Sequence, residues 1–256
     1  MIGCQIRDAN IEDLDGIAAL LRHSFDRSLW RYMIYAQRGI HEYLAVDMRY
    51  PSTASDRRLI VATSDRLPNT LAGFADYRTG QDGQIFLSYI CVEADSQGRG
   101  VASALLARVC DPSHGLRQMQ LDVFDDNVRA CNLYYKMGFV ASGASVWVDR
   151  RLPKSRGRAS LMAPHTALAA HARYGFCEVL VGEGESTERL GLIGAQTIRC
   201  FSSSTFQNDE LLAGMHTLFP DTDRAFFVLP EEAEPELRVQ HQVIKRSIRM
   251  TLAVRS

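Results

Sequence analysis

Two short stretches combine residue types and spacings that could do chemistry. The first is Gln97-Gly98-Arg99-Gly100-Val101-Ala102. It follows the apolar run Ile85-Phe86-Leu87-Ser88-Tyr89-Ile90-Cys91-Val92, which reads as a buried strand, and precedes apolar residues at helical spacing from Ser103 to Cys110. Two glycines at a strand-to-helix turn let the backbone approach an anion closely. The unpaired amides and positive end of the new helix supply the binding field. A phosphate or pyrophosphate is the natural ligand. The second stretch follows the alternating run Met119-Gln120-Leu121-Asp122-Val123. It begins at Asn127, places Ala130, Leu133 and Met137 on one helical face, and ends at Gly138-Phe139. Asn127 fits an N-cap and Gly138 a left-handed terminator, so a second helix is expected there.

These motifs, in this order and 30 residues apart counted from Gln97 to Asn127, resemble the GNAT superfamily of acyl-CoA-dependent N-acyltransferases. The resemblance covers residues 1 to about 150. It implies acetyl-CoA or another acyl-CoA as co-substrate, with the pyrophosphate on Gln97, Gly98, Arg99, Gly100, Val101, Ala102 and Ser103. It further implies that Ile90, Cys91 and Val92 pair their backbone with the pantetheine arm, that Asn127 lies on the cofactor side, and that Tyr134 protonates the departing thiolate. The first helices and their connection would line the acceptor side.

Acyl transfer to an amine requires a deprotonated amine, a stabilised oxyanion and a proton for the thiolate. An amine with pKa near 10 needs a base, directly or through water. Asp122, Glu42 and His41 are the candidates, and no signature chooses among them. A backbone amide near residues 90–92 could serve the oxyanion. The Tyr134 phenol keeps its proton at neutral pH and can donate it. Against each stands a plainer role, a solvated surface group for the bases and helix packing for Tyr134. Cys91 and Cys131 lack a neighbouring histidine in sequence and read as small buried hydrophobes rather than nucleophiles. A non-catalytic acyl-CoA sensor is the competing reading.

The chain has 256 residues, 46% of them hydrophobic, and a formal charge of −1, which gives no electrostatic footprint for nucleic acid. Its six cysteines are scattered without Cys-x-x-Cys or histidine spacing, so no metal site is expected and reduced thiols in the cytoplasm are. No signal-peptide core opens the sequence, and no apolar run reaches the roughly 18 residues a bilayer requires. The acceptor (small molecule or protein amino group), the acyl length and the assembly state, a homodimer included, stay open.

The remaining elements must position these residues. A strand at Ile6 precedes a helix capped by Asn10 that aligns Leu14, Ile17, Ala18 and Leu21. An aromatic helical tract is expected over 29–48, strands over 59–63, 71–77 and 140–148, and a hairpin turn at 65–69. Five basic residues in nine mark 150–158 as a solvated connector. Beyond it come helices over 166–174 and 208–218, strands over 176–181, 192–200 and 225–229, a helix over 235–247 and a final strand over 248–252. The glycines at 182–185 and 191–194 read as hairpin and bulge positions. The fold class is therefore α+β (mixed α/β): a mixed, mostly antiparallel central sheet flanked by helices, with a second, smaller α/β unit. The expected division is 1–150 for acyl-CoA binding and catalysis, 151–158 as basic linker, and 159–256 as the C-terminal unit. That unit echoes the first as a degenerate GNAT-like half, since Gln207-Asn208-Asp209-Glu210 replaces the glycine turn.

Overall fold

The computed structural model describes residues 4–51, 56–64, 67–80, 83–110, 117–183 and 186–253. The first half of the chain supplies β1 (Cys4–Asp8), α1 (Leu14–Ser24), α2 (Ile40–Arg49), β2 (Asp56–Ser64), β3 (Leu67–Thr79), β4 (Gln84–Val92), α3 (Val101–Val109), β5 (Gln118–Phe124), α4 (Val128–Lys136) and β6 (Val140–Arg151). The second half supplies β7 (Leu161–Met162), α5 (Pro164–Tyr174), β8 (Phe176–Glu183), β9 (Ser186–Ile193), β10 (Thr197–Cys200), α6 (Ser203–Gln207), α7 (Asp209–Leu218), β11 (Arg224–Pro230) and β12 (Gln242–Ala253). This is the expected mixed α/β architecture, with a largely antiparallel sheet and flanking helices.

The chain forms two compact units. The first contains Met1–Asp26, His41–Gly143 and Ser247–Ser256. In it β1, β2, β3 and β4 are antiparallel neighbours in sequence order, and β4 pairs in parallel with β5. The next strand is the end of β12, antiparallel to β5 from Ser247↔Phe124 to Ala253↔Gln118. One core lies between Ile60, Tyr77, Leu87, Leu121 and Met250 of the strands and Leu105, Leu106, Cys131 and Tyr134 of α3 and α4. A Cβ on Gly73 would lie 2.7 Å from the Cys91 carbonyl and 3.2 Å from Val101, so a side chain there would disturb both β4 and the start of α3. Asn10 caps the turn before α1 as the sequence suggests: Asp13 N donates to Asn10 Oδ1 at 3.1 Å, and Asn10 N donates to Asp13 Oδ2 at 2.7 Å.

The second unit contains Arg27–Ile40 and Ala144–Arg246. Its strands repeat the order of the first: β7, β8, β9 and β10 are antiparallel in turn, β10 is parallel to β11, and β11 is antiparallel to β6. In each unit the strand beyond the parallel pair is thus a long one whose other end belongs to the other unit. This differs from the expected continuous division into 1–150, 151–158 and 159–256. The second unit includes fourteen residues of the first half, and the first unit is completed by the chain's last strand.

Four further expectations change. The 29–48 tract is not one helix: it consists of tight turns at Arg27–Tyr32 and Ile34–Ala36, with α2 starting only at Ile40. Leu29, Tyr32, Met33 and Tyr35 are all buried, and no single helical face accommodates them. The 235–247 helix is absent. Pro235 lies in a short turn at Glu231–Glu236, and β12 begins at Gln242, where the β-branched Val243, Ile244, Ile248 and Thr251 and the cross-strand pairing of 247–253 outweigh helix propensity. The 192–200 strand is split between β9 and β10 at Gly194, which adopts φ 57°. The basic stretch is a solvated connector only in part: Arg151, Lys154, Arg156 and Arg158 are exposed, but its start is not. Arg150 and Leu152 are buried, Arg150 Nη2 donates to Asp209 Oδ1 at 2.7 Å, and Gly157 sits where a Cβ would meet Gly214 N at 2.4 Å. The hairpin turn at 65–69 and the 182–185 glycines fall partly outside the described residues.

A chain ending at Arg246 would leave β5 without its partner and the core without Met250, which is 0% exposed. We expect such a chain to lose cooperative unfolding of the first unit. Met250→Ala in the full chain should cost about 2–5 kcal/mol in a denaturant melt.

Candidate functional site

The site grows from a mismatch in strand pairing. β4 and β5 pair over four positions only, Gln84↔Gln118 to Leu87↔Leu121. On its other edge β4 stays paired with β3 up to Val92, but with a bulge: Asp76 faces Tyr89 while Tyr77 faces Leu87, leaving Ser88 as the extra residue. The bulge and the end of the β4–β5 ladder coincide. β5 is paired with β12 on its other edge along its whole length, and among the described residues no strand pairs with the β5-facing edge of Ile90–Cys91–Val92. An extended ligand could use that edge for backbone hydrogen bonds.

At the end of β4 the glycine turn has the anticipated geometry. Gly98 and Gly100 have φ of 75° and 85°, a region that disfavours any side chain, and Gly100 is the residue preceding α3. Ala104 N reaches back to Gly100 O at 2.9 Å, so the amides of Val101, Ala102 and Ser103 precede the first intrahelical bond. Gln97, Gly98, Arg99, Gly100 and Ser103 are exposed. The Gln97 side chain ties the turn together, donating through Nε2 to Val92 O at 3.2 Å and accepting from Arg129 Nη1. Arg129 was not singled out in the sequence. Its position two residues after the Asn127 cap, in the first turn of α4, is the signal that could have found it. Beside it, Val128, Arg129, Asn132, Leu133 and Lys136 border a surface depression of about 570 Å³.

Asn127 uses its side chain as the cap, accepting from Ala130 N at 3.1 Å, and Gly138 ends α4 with φ 90°. Tyr134 points into the core at 5% exposure, its ring 5.5 Å from that of Phe139. Burial raises the phenol above its ordinary value, and the neighbouring Cys91 and Cys131 raise it further. It therefore holds its proton throughout the neutral range. Burial also pushes the Cys91 thiol up to about 12 and raises Cys131, so neither offers a thiolate nucleophile.

Asp122, one of the three candidate bases, is engaged otherwise. Arg249 of β12 holds both its oxygens, Nη2 donating to Oδ2 at 2.8 Å and Nε to Oδ1. Both oxygens of this carboxylate are thus committed to the guanidinium across the strand pair. Glu42 and His41 lie in α2, half-buried, and nothing singles either out. On the α1–α2 side of the sheet, Asp76 and Arg57 form a buried pair with contacts of 2.7 and 3.0 Å, and Asp47 adds a third contact at 3.2 Å. Loss of solvent raises Asp76 and lowers Arg57. At the parting itself, the Phe25 ring stands edge-on to Tyr89 and Phe124 at 5.9 and 6.3 Å. Among the described residues no group of three or more His, Cys, Asp or Glu could hold a metal ion, and no helix is long and apolar enough to cross a membrane.

Residues 22–139 match the model of the Acetyltransferase (GNAT) family, so the first half of the chain carries a GNAT acetyltransferase domain. No curated protein sequence matches. Among solved structures, a tandem GNAT protein from the clavulanic acid biosynthesis pathway aligns over 99% of both chains at 11% identity and a TM-score of 0.71. A putative acetyltransferase from Pyrococcus horikoshii aligns over 99% of this chain and 90% of that one, at 14% identity and a TM-score of 0.64. A GCN5-related N-acetyltransferase from Sphaerobacter thermophilus aligns over 99% and 96%, at 12% identity and a TM-score of 0.63. These likenesses extend over both halves, consistent with a second GNAT-like half, and they concern the fold.

A Cβ on Gly100 would meet nothing within 4 Å, so a substitution there acts through the left-handed backbone and through charge rather than through a clash. Gly100→Glu should fold and lose acyl-CoA affinity by at least about 100-fold, since it sets a carboxylate against a phosphate at a helix N-terminus. Calorimetry showing native affinity in the folded variant would remove the turn from the site.

Proposed function

We propose that the chain is an N-acyltransferase that moves an acetyl or other short acyl group from acyl-CoA to an amine, by direct attack of the amine on the thioester. Its family supports acyl transfer from acyl-CoA in general terms. The observation that carries the particular reading is the departure of β4 from β5 after Leu87, which opens the edge of Ile90–Cys91–Val92 toward the glycine turn before α3, with Tyr134 buried beside Cys91.

In this reading the pyrophosphate lies on Gln97 to Ser103 and the pantetheine arm runs along Ile90, Cys91 and Val92. An amide freed by the bulge receives the oxyanion. The neutral amine's nitrogen forms its bond to the thioester carbonyl carbon, the tetrahedral intermediate expels the thiolate as Tyr134 gives it a proton, and the proton shed by the acylated nitrogen, passed through solvent, restores the Tyr134 phenol. Asn127 contributes by fixing the start of α4. Arg129 and the depression beside it suit the nucleotide end of the cofactor. The six cysteines are free and four are buried, which suits a reducing compartment, the cytoplasm.

The sensor reading is favoured by one observation, the engagement of Asp122 by Arg249, which removes one of the three carboxylate or histidine candidates for the base. Turnover separates the two. An amine panel in which the native protein binds acyl-CoA but acylates nothing supports the sensor.

Tyr134→Phe keeps the ring packed on Phe139 and removes its proton. We expect kcat to fall by about 10²-fold, the low end for a lost general acid because a thiolate leaves fairly well unaided, with acyl-CoA affinity unchanged. A native rate would make Tyr134 a packing residue. The second unit has no glycine at its corresponding turn, where Ser202 caps α6 and Asn208 caps α7, so titration should find one acyl-CoA per chain. Two would refute that assignment.

A further inference from the structure

We infer that Tyr32 and its partner Asp149 form a latch that positions the acceptor side of the acyl-transfer site; the kinetic consequence rests on the acyltransferase reading above. The segment Arg27–Ile40 is covalently part of the first half, yet it is built into the second unit. Tyr32, 7% exposed, donates its hydroxyl proton to Asp149 Oδ2 at 2.6 Å, and its ring packs 4.9 Å from Phe226. Asp149 is 0% exposed, with Arg224 3.4 Å from Oδ2 and with Oδ1 lacking any partner among the described residues. A buried carboxylate so sparsely satisfied depends heavily on each donor it has. Arg31 adds bonds to Thr197 Oγ1 at 3.3 Å and to the Gln196 carbonyl at 3.4 Å, and pairs with Asp223. Gly39 fixes the far end, where a Cβ would meet Arg173 O at 2.4 Å.

The two ends of this segment lead directly into the site. Two residues before it begins, Phe25 abuts Tyr89 and Phe124, the aromatic residues on the two strands where they part. One residue after it ends, α2 continues with His41 and Glu42. The phosphate turn occupies the α3 side, so an amine must reach the thioester past the α1–α2 side. The placement of Phe25 and of the start of α2 is therefore tied through the chain to how firmly 27–40 is held. Tyr32 is a positioning residue: it touches neither cofactor nor reacting atoms.

The test uses the full chain. Tyr32→Phe should raise the acceptor KM about tenfold, with acyl-CoA affinity and kcat at saturating acceptor close to native. Because Tyr32→Phe leaves a buried carboxylate short of a donor and could unfold the chain, Arg31→Ala, at a partly exposed residue of the same segment, should give a smaller shift in the same direction. A general loss of structure would instead lower kcat and acyl-CoA binding together. Hydrogen exchange supplies a readout independent of turnover: 27–40 and the end of α1 around Phe25 should exchange at least about tenfold faster in either variant, with α3 at its native rate. An unchanged acceptor KM, or faster exchange confined to 27–40, overturns the latch. If the native protein acylates no amine, the acyltransferase reading fails and the exchange at Phe25 alone decides whether the latch exists.

Discussion

The structure of the first unit depends on one constraint: β4 cannot stay in register with both neighbours. The extra residue at Ser88 is absorbed on the β3 side, and from there β4 and β5 part. Unsatisfied backbone groups inside a sheet carry a penalty comparable to a lost hydrogen bond. An open edge of this kind is therefore a feature the rest of the unit has to maintain. Gln97 does part of this by pinning the Val92 carbonyl, and Arg129 holds Gln97 from α4. The buried side of the same strands is filled by α3 and α4, so the opening is lined by core residues and does not collapse.

The parting also explains why the last strand of the chain matters. On its other edge β5 is paired along its whole length, Ser247 to Ala253 facing Phe124 to Gln118, so β12 holds β5 both where β4 is its neighbour and where β4 has left it. The Arg249–Asp122 pair lies in that same ladder and is raised in affinity for its proton by the carboxylate it faces. What looks in sequence like a candidate base is thus part of the strand pairing that keeps the cleft's second wall in place. Function and architecture compete for the same carboxylate, and its geometry gives it to architecture.

The sequence shows the cofactor side clearly because that side is local. A strand, a glycine turn and a helix are consecutive, and each residue's role follows from its neighbours in the chain. The caps at Asn10 and Asn127, the left-handed glycines and the Tyr134 helix were all legible for that reason. The exchanged pieces were not. Nothing in the aromatic 27–40 tract reveals which core receives Tyr32, and the first half of β12, residues 242–247, reads as helix although 248–252 reads as strand. Arg150 looked like linker charge because five basic residues in nine usually mean solvent, whereas its guanidinium stacks 5.6 Å from the Phe206 ring and bonds to Asp209. Long-range pairings decide these cases, and a single sequence carries no record of them.

The repetition of strand order across the two units gives the exchange a physical logic. In each unit the strands before the parallel pair form from contiguous or nearly contiguous chain, while the strand beyond it is one end of β6 or β12. Those two strands are long, 12 residues each, and each divides its length between the units. Neither unit can close its sheet without chain that also serves the other, and one of them additionally holds the segment between α1 and α2.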